Sequence, residues 1–229
     1  RLVGLKPDDW VIDIGSNDAT SLKAYPQSRH RVGIDPTGKK FKQYYTDGIQ
    51  LIPDFFSAAA FKKEFAGAKA KIVSSIAMFY DLERPMDFVR DIADVLADDG
   101  IWHFEQSYMP SMLRTNSYDT ICHEHLEFYS FKVVKEMLEK ADLRVVDVQM
   151  NAINGGSFAV TACKKRSSLK SNAPIIDWLL RQEDALGLDT PKPYREFETR
   201  VFQHRKDLRA LIEALVADGK KVIGYGAST

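Results

Sequence analysis

The sequence predicts an α/β fold, a mostly parallel sheet with helices packed on it that ends in an antiparallel hairpin. Three observations carry this. Short β-branched runs alternate with helical segments through the first half, which implies parallel strands joined by right-handed crossovers. Two later strands are separated by Asn154-Gly155-Gly156, a turn sequence suited to a hairpin. The composition, 45% hydrophobic and 28% charged, is that of an ordinary globular chain able to bury a core.

In chain order, the strand candidates of the first half are Trp10–Ile14, Arg31–Asp35, a third ending before Asp54, Ala70–Ser75 and Ile101–Glu105. Before the last of these, Pro85 suits the first turn of a helix. Met86, Val89, Ile92, Ala93 and Leu96 form that helix's apolar face, and Gly100 follows as a stop. Residues 106–130 are polar and aromatic with weak periodicity. A helix over 131–141 leads to strands at 143–150 and 158–163. Residues 164–173 are polar and serine-rich and read as a linker. Helices over 174–186 and 194–218 follow, then a strand over 221–226. The expected division is a cofactor-binding domain over 1–165 and a helical segment opening a second domain over 166–229.

Lysine plus arginine equals aspartate plus glutamate, 32 each, which argues against a nucleic-acid partner. Two cysteines, Cys122 and Cys163, make neither a disulfide framework nor a four-cysteine zinc site, and point to a reducing, cytoplasmic setting. No apolar run reaches about 18 residues, so no membrane helix is expected. No signal-peptide pattern is visible. The start at Arg1 and the strand-like run before Thr229 read as a portion of a longer protein.

Asp13-Ile14-Gly15-Ser16-Asn17-Asp18-Ala19-Thr20 lies where the first strand meets the first helix, the place where open α/β sheets bind ligands. A dinucleotide turn needs G-x-G-x-x-G, whose second glycine admits a pyrophosphate; Asn17 stands there instead. S-adenosylmethionine has no phosphate and needs no such glycine. Its ammonium, sulfonium and ribose suit acids and polar groups. Asp35, followed by Pro36, ends the second strand, where a carboxylate can accept ribose hydroxyls. Asp54, Phe55 and Phe56 fall where a carboxylate could take the adenine amino group and an aromatic could pack on its ring. Ser75, Met78 and Phe79 follow the fourth strand and complete the candidate cofactor residues. A strand–glycine–helix turn can also be purely structural, a strand-ending aspartate a helix cap, and a Met–aromatic pair core.

His123-Glu124-His125 sits in the densest chemical segment, Tyr118 to Ser130, beyond the strand ending at Glu105. Imidazole is the usual general base near neutral pH, and a neighbouring carboxylate can orient it. Cys122, His123 and His125 could instead ligate zinc, though histidines at i and i+2 do not match the helical i, i+4 spacing. No metal is expected. A loop histidine that only satisfies backbone groups is the structural alternative.

Val11–Asp18, Asp119–His125, Asn154–Ser157 and Gly224–Ser228 together resemble the class I S-adenosylmethionine-dependent sugar C-methyltransferases. Those enzymes act on nucleotide-linked deoxy-keto-sugars in bacterial antibiotic and polysaccharide pathways. The resemblance covers nearly the whole chain. It implies a Rossmann-like, seven-stranded sheet, S-adenosylmethionine as cofactor (S-adenosylhomocysteine as product) and a sugar nucleotide as substrate. It assigns His125 as base, Glu124 as its partner or a substrate-hydroxyl ligand, and His123 as a donor to an enolate oxygen. Tyr80 and Glu105 are further pocket candidates. Three departures stand out: the small zinc-binding cysteine domain with which the family usually begins is not among these 229 residues, Cys122 stands where tyrosine is expected, and Met78 stands where many members have histidine. An O- or N-methyltransferase, or a non-catalytic ligand-binding module, are the alternatives.

Overall fold

The computed structural model describes residues 3–26 and 28–226. Seven strands form one sheet: β1 (Trp10–Ile14), β2 (His30–Ile34), β3 (Gln50–Ile52), β4 (Ala70–Ile76), β5 (Leu96–Ser107), β6 (Leu143–Asn151) and β7 (Ser157–Lys164). Their order is β3-β2-β1-β4-β5-β7-β6. The first five are parallel, and β7 runs antiparallel to both its neighbours. The order reverses at β1, between β2 and β4, so the switch point lies where the glycine turn was expected.

Strands covered on both faces read as continuous apolar runs. In β1, Val11, Ile12 and Ile14 are all buried. One face of the sheet carries Ile12, Val73, Trp102, Phe104 and Phe158. It packs under α2 (Ala58–Glu64), α3 (Pro85–Val95), α5 (Phe131–Lys140) and α6 (Ala173–Leu186). Phe61, Ile92, Leu138 and Leu179 are the inward anchors of these four helices; each such side chain contributes about 1.5–3 kcal/mol on burial. On the other face Val11, Ile72, Ile101 and Cys163 meet Leu22 of the short α1 (Thr20–Lys23).

The expected hairpin is present. Asn151 pairs with Ser157, and the reversal uses Asn154, Gly155 and Gly156 at φ of 51°, 77° and 127°. A Cβ on Gly156 would also lie 2.6 Å from that of Ser111.

Three expectations are corrected. Leu96 begins β5 instead of closing the α3 face, because the chain passes straight from helix to strand. Gly100 is no helix stop: it lies in β5 beside a register shift, where a Cβ would come within 2.6 Å of the Ala70 carbonyl. Residues 221–226 form no strand; Ile223 and Tyr225 are 75% and 97% exposed, and Ala227 and Ser228 of the final motif lie outside the described residues.

The segment read as a linker is pinned along β6. Arg144 donates to Ser171 Oγ and to the carbonyls of Ser167 and Leu169. Ser171 Oγ donates to the Val145 carbonyl and Asn172 N to that of Val146, both at 2.7 Å. Beyond α6, α7 (Lys192–Ala217) runs over α4 (Met109–Thr115). Among the described residues no helix is long and apolar enough to cross a membrane.

Candidate active site

The β1 turn needs left-handed backbone at Gly15, Asn17 and Ala19, with φ of 73°, 42° and 60°. Glycine takes this at no cost; the other two are held by contacts. Gly15 N donates to the Ile34 carbonyl at 2.9 Å, Asn17 N to Asp35 Oδ2 at 2.9 Å, and Ala19 N to the Ser16 carbonyl at 2.8 Å. Asp18 accepts from Thr20 N, and hydrogen bonding from the Thr20 side chain, with the backbone N–H second, holds its carboxyl below the usual range.

Tyr45, which the sequence did not single out, locks this turn. Its hydroxyl bonds Ser16 Oγ at 2.7 Å and donates to the Asn17 carbonyl at 3.0 Å. The lock requires a glycine beneath it: a Cβ on Gly33 would lie 2.4 Å from Ser16 Oγ and 2.7 Å from the Tyr45 ring. Ser16 is therefore occupied, and its side chain serves the turn.

Two buried carboxylates flank the turn. Asp13 accepts from Ser74 Oγ at 2.6 Å. Burial pushes its pKa up to about 6 against the Ser74 bond that lowers it, and the Asp35 charge adds to the rise. Asp35 Oδ1 accepts from Thr37 N and Oγ1, both at 2.7 Å, while Oδ2 takes Asn17 N. Oδ1 is thus fully used, while Oδ2 of Asp35 keeps one lone pair, so the carboxylate is fixed in place with one acceptor site left. Pro36 is exposed in the turn beside it.

The aromatic and carboxylate at the end of β3 divide. Asp54 and Phe55 stand exposed at the carboxyl edge, Phe55 at 76%. Phe56 turns inward onto Phe88, centroids 5.2 Å apart. After β4, Met78 lies over the turn, its Cγ 3.7 Å from where a Gly15 Cβ would be. The side chains of Ser75 and Phe79, expected at the cofactor, point elsewhere. Ser75 Oγ accepts the Trp102 indole N–H at 3.0 Å, and Phe79 is 1% exposed among Phe88, Trp102, Phe104 and Tyr129. Strand alternation explains the first: Ser74 faces Asp13, so Ser75 faces the opposite layer.

At the ends of β4 and β5 the structure joins Tyr80 and His125, with ring centroids 4.5 Å apart. Leu126 N and Glu127 N both donate to the Tyr80 carbonyl, stitching the two segments together. Burial pushes the Tyr80 phenol up, so it stays a donor at neutral pH. His125 Nδ1 lies 2.8 Å from the Thr120 carbonyl. A carbonyl only accepts, so Nδ1 carries the proton and Nε2 presents its lone pair.

The orienting partner is thus Thr120, not Glu124 as expected. His125 N donates to the Cys122 carbonyl, so His123 and Glu124 sit at the corner of a turn. Both are exposed, and Glu124 makes no hydrogen bond or ion pair among the described residues. Burial lifts the neighbouring Asp81 carboxyl, with His125 drawing it back and Glu124 raising it further. Glu105 accepts from Asn151 Nδ2 at 2.8 Å, tying β5 to β6. Two buried side chains at this end, the Gln106 amide and the Tyr129 hydroxyl, have no hydrogen-bond partner among the described residues. No grouping of three His, Cys, Asp or Glu arranged for a metal occurs among the described residues.

Residues 1–148 match the family described as a methyltransferase domain, and residues 152–229 match the family described as the C-methyltransferase C-terminal domain. The chain belongs to the methyltransferase-domain family, class I by its sheet order, and S-adenosylmethionine is the cofactor of that class. It is 32% identical over 230 residues to the C-methyltransferase NovU of Streptomyces niveus, a match taking 99% of this chain and 54% of that protein. The chain therefore spans about half the length of the curated relative it matches.

Among solved structures, a methyltransferase bound to the Haloferax volcanii Trm112 activator superposes with a TM-score of 0.57 at 15% identity, over 70% of this chain and 84% of that one. The mitomycin 7-O-methyltransferase MmcR gives 0.54 at 17%, over 71% and 51%. LepI in its complex with S-adenosylmethionine gives 0.54 at 14%, over 69% and 43%. These likenesses are of fold. The β1 turn fits the cofactor chemically: the Asp13 carboxylate, destabilised chiefly by its burial and further by Asp35, is what a cationic ammonium would relieve.

Proposed function

We propose that the chain binds S-adenosylmethionine across the β1, β2 and β4 ends and methylates a carbon next to the ketone of a nucleotide-linked keto-sugar, with His125 as base. The observation that carries this is His125, held by the Thr120 carbonyl with Nε2 free, against Tyr80 on the edge where β4 and β5 end. The match of residues 152–229 to a C-methyltransferase domain and the likeness to NovU support carbon as the acceptor. The cofactor would be held by Asp13 near its ammonium, Asp35 near its ribose, Asp54 and Phe55 near its adenine, and Met78 over the Gly15 turn.

When bound, the cofactor supplies an electrophilic methyl group. His125 Nε2 takes the proton from the substrate carbon, and the Tyr80 hydroxyl donates to the oxygen that gains charge as it leaves. His125 keeps the proton until it is released to water, while that carbon would take the methyl of the bound cofactor, the electrons of the methyl–sulfur bond remaining on sulfur. Holding the substrate carbon against the bound cofactor would remove a further part of the barrier. Residues 1–165 form the cofactor-binding part and 166–229 lead into the substrate-holding part. Two unpaired cysteines suit a cytoplasmic setting.

The test is methyl transfer and α-hydrogen exchange in D2O, read by mass spectrometry across a panel of nucleotide-linked deoxy-keto-sugars. His125→Ala should lower turnover by about 10²–10⁴-fold and leave S-adenosylhomocysteine affinity unchanged. Methyl found on a hydroxyl or amine, or an active His125→Ala chain, overturns the reading.

A further inference from the structure

The segment carrying His125 is gripped by α7 at successive turns. Phe197 packs with Met109 and Leu113 of α4, with Tyr118 and Val201 alongside. Arg200 Nη2 donates to the Leu113 carbonyl at 2.6 Å. One turn further along, His204 Nδ1 meets the Tyr118 hydroxyl at 2.9 Å, the two rings edge to face. Tyr118 opens a single 3-10 turn, Tyr118–Thr120, and the carbonyl at the end of that turn is the one that holds His125 Nδ1. The turn is closed by Ile121 N to the Tyr118 carbonyl and by Thr120 Oγ1 to the Ser117 carbonyl, both at 3.0 Å. A shift of Tyr118 therefore carries the Thr120 carbonyl with it.

We propose that His204, acting through Tyr118, places the Thr120 carbonyl and so keeps His125 in the tautomer with Nδ1 protonated and Nε2 open. His204 is a positioning residue. It belongs to the region matching the C-terminal family, whereas His125 belongs to the region matching the methyltransferase domain. The contact is thus a mechanical link from the C-terminal helix to the imidazole. It survives either sense of the bond: the Tyr118 hydroxyl donates to a bare Nδ1, and a protonated Nδ1 donates to the hydroxyl oxygen. Its bearing on turnover rests on His125 being the base; its bearing on the tautomer does not.

The experiment needs no substrate. The five histidines are labelled with 15N, His125 is assigned by loss of its signal in His125→Gln, and its ring-nitrogen shifts report the tautomer ratio. The wild type should show the Nδ1–H form. His204→Leu and Tyr118→Phe should each move the ratio by about fivefold toward Nε2–H, the worth of one solvent-facing hydrogen bond, about 1 kcal/mol. His204→Gln, which can still reach the hydroxyl, should restore it. A merely structural role for His204 would move the melting temperature and leave the ratio alone. His204 is exposed, so its variants decide the matter should Tyr118→Phe not fold. An unmoved ratio in His204→Leu overturns the link while leaving His125 free to be the base. An active His125→Ala chain overturns the base and leaves a shifted ratio standing.

Discussion

Asparagine at position 13 separates the cost of the buried carboxylate from its use. Asp13 is 4% exposed, and burial lifts its pKa from 3.8 to about 6, with Ser74 opposing and Asp35 adding. A raised carboxyl favours folding fully below its unfolded pKa and loses that contribution as pH rises through the folded value. The loss spans pH 3.8 to about 6. At about 1.4 kcal/mol per unit, it reaches at most about 3 kcal/mol. Asparagine keeps Oδ1 for the Ser74 hydroxyl and never carries the charge. The ligand-free Asp13→Asn chain should therefore melt about 3–8 °C higher than wild type at pH 7.5, from about 1–3 kcal/mol at this chain length, and the gain should vanish near pH 4. Affinity for S-adenosylhomocysteine, whose ammonium the proposal sets against this anion, should fall about tenfold or more. Wild-type binding at pH 6 should release up to about half a proton, seen by calorimetry in buffers of different ionisation enthalpy. A variant that melts lower at both pH values refutes the burial argument. Unchanged affinity removes Asp13 from the cofactor.

Three further outcomes can be checked with single variants. Gly33→Ala should weaken S-adenosylhomocysteine binding by calorimetry, because its Cβ evicts Ser16 and Tyr45 from the turn; unaltered affinity would show the lock to be dispensable. Glu183→Ala should cost about 3 kcal/mol in urea unfolding, since Glu183 accepts from Tyr108 Oη and from the N–H groups of Phe131 and Lys132 that open α5. Ser75→Ala should cost about 1–2 kcal/mol by stranding the Trp102 N–H, with cofactor affinity intact; a loss of affinity would put Ser75 back at the ligand.

What was legible in the sequence follows the range of the interactions. Periodicity placed β1, β2, β4, β6 and β7 within a residue or two, because alternation and β-branched runs are local; β5 starts five residues before the expected Ile101, and 221–226 form no strand. The glycine turn was visible because its backbone demand is local too. The partners that finish the site were not. Thr120 holds His125 through a backbone carbonyl, which any residue type supplies. Tyr45 and Gly33 meet Ser16 through the pairing of β1 with β2. Glu124 looked like an orienting carboxylate by adjacency, yet a tight turn sends neighbouring side chains outward. Ser75 was misplaced for want of a register: which of two adjacent serines faces Asp13 depends on how β4 lies on β1.

The segment pinned along β6 has a bearing on how the chain keeps to itself at high concentration. A sheet border of unpaired amides and carbonyls is a template for another molecule's strand. Here one border, β3, is three residues long. At the other, the Val145 and Val146 carbonyls are already taken by Ser171 and Asn172, and Arg144 clamps the same stretch from its side. Loosening that clamp would bare a strand of nine residues whose buried positions are Leu143 and three valines, the kind of edge from which intermolecular β-structure grows.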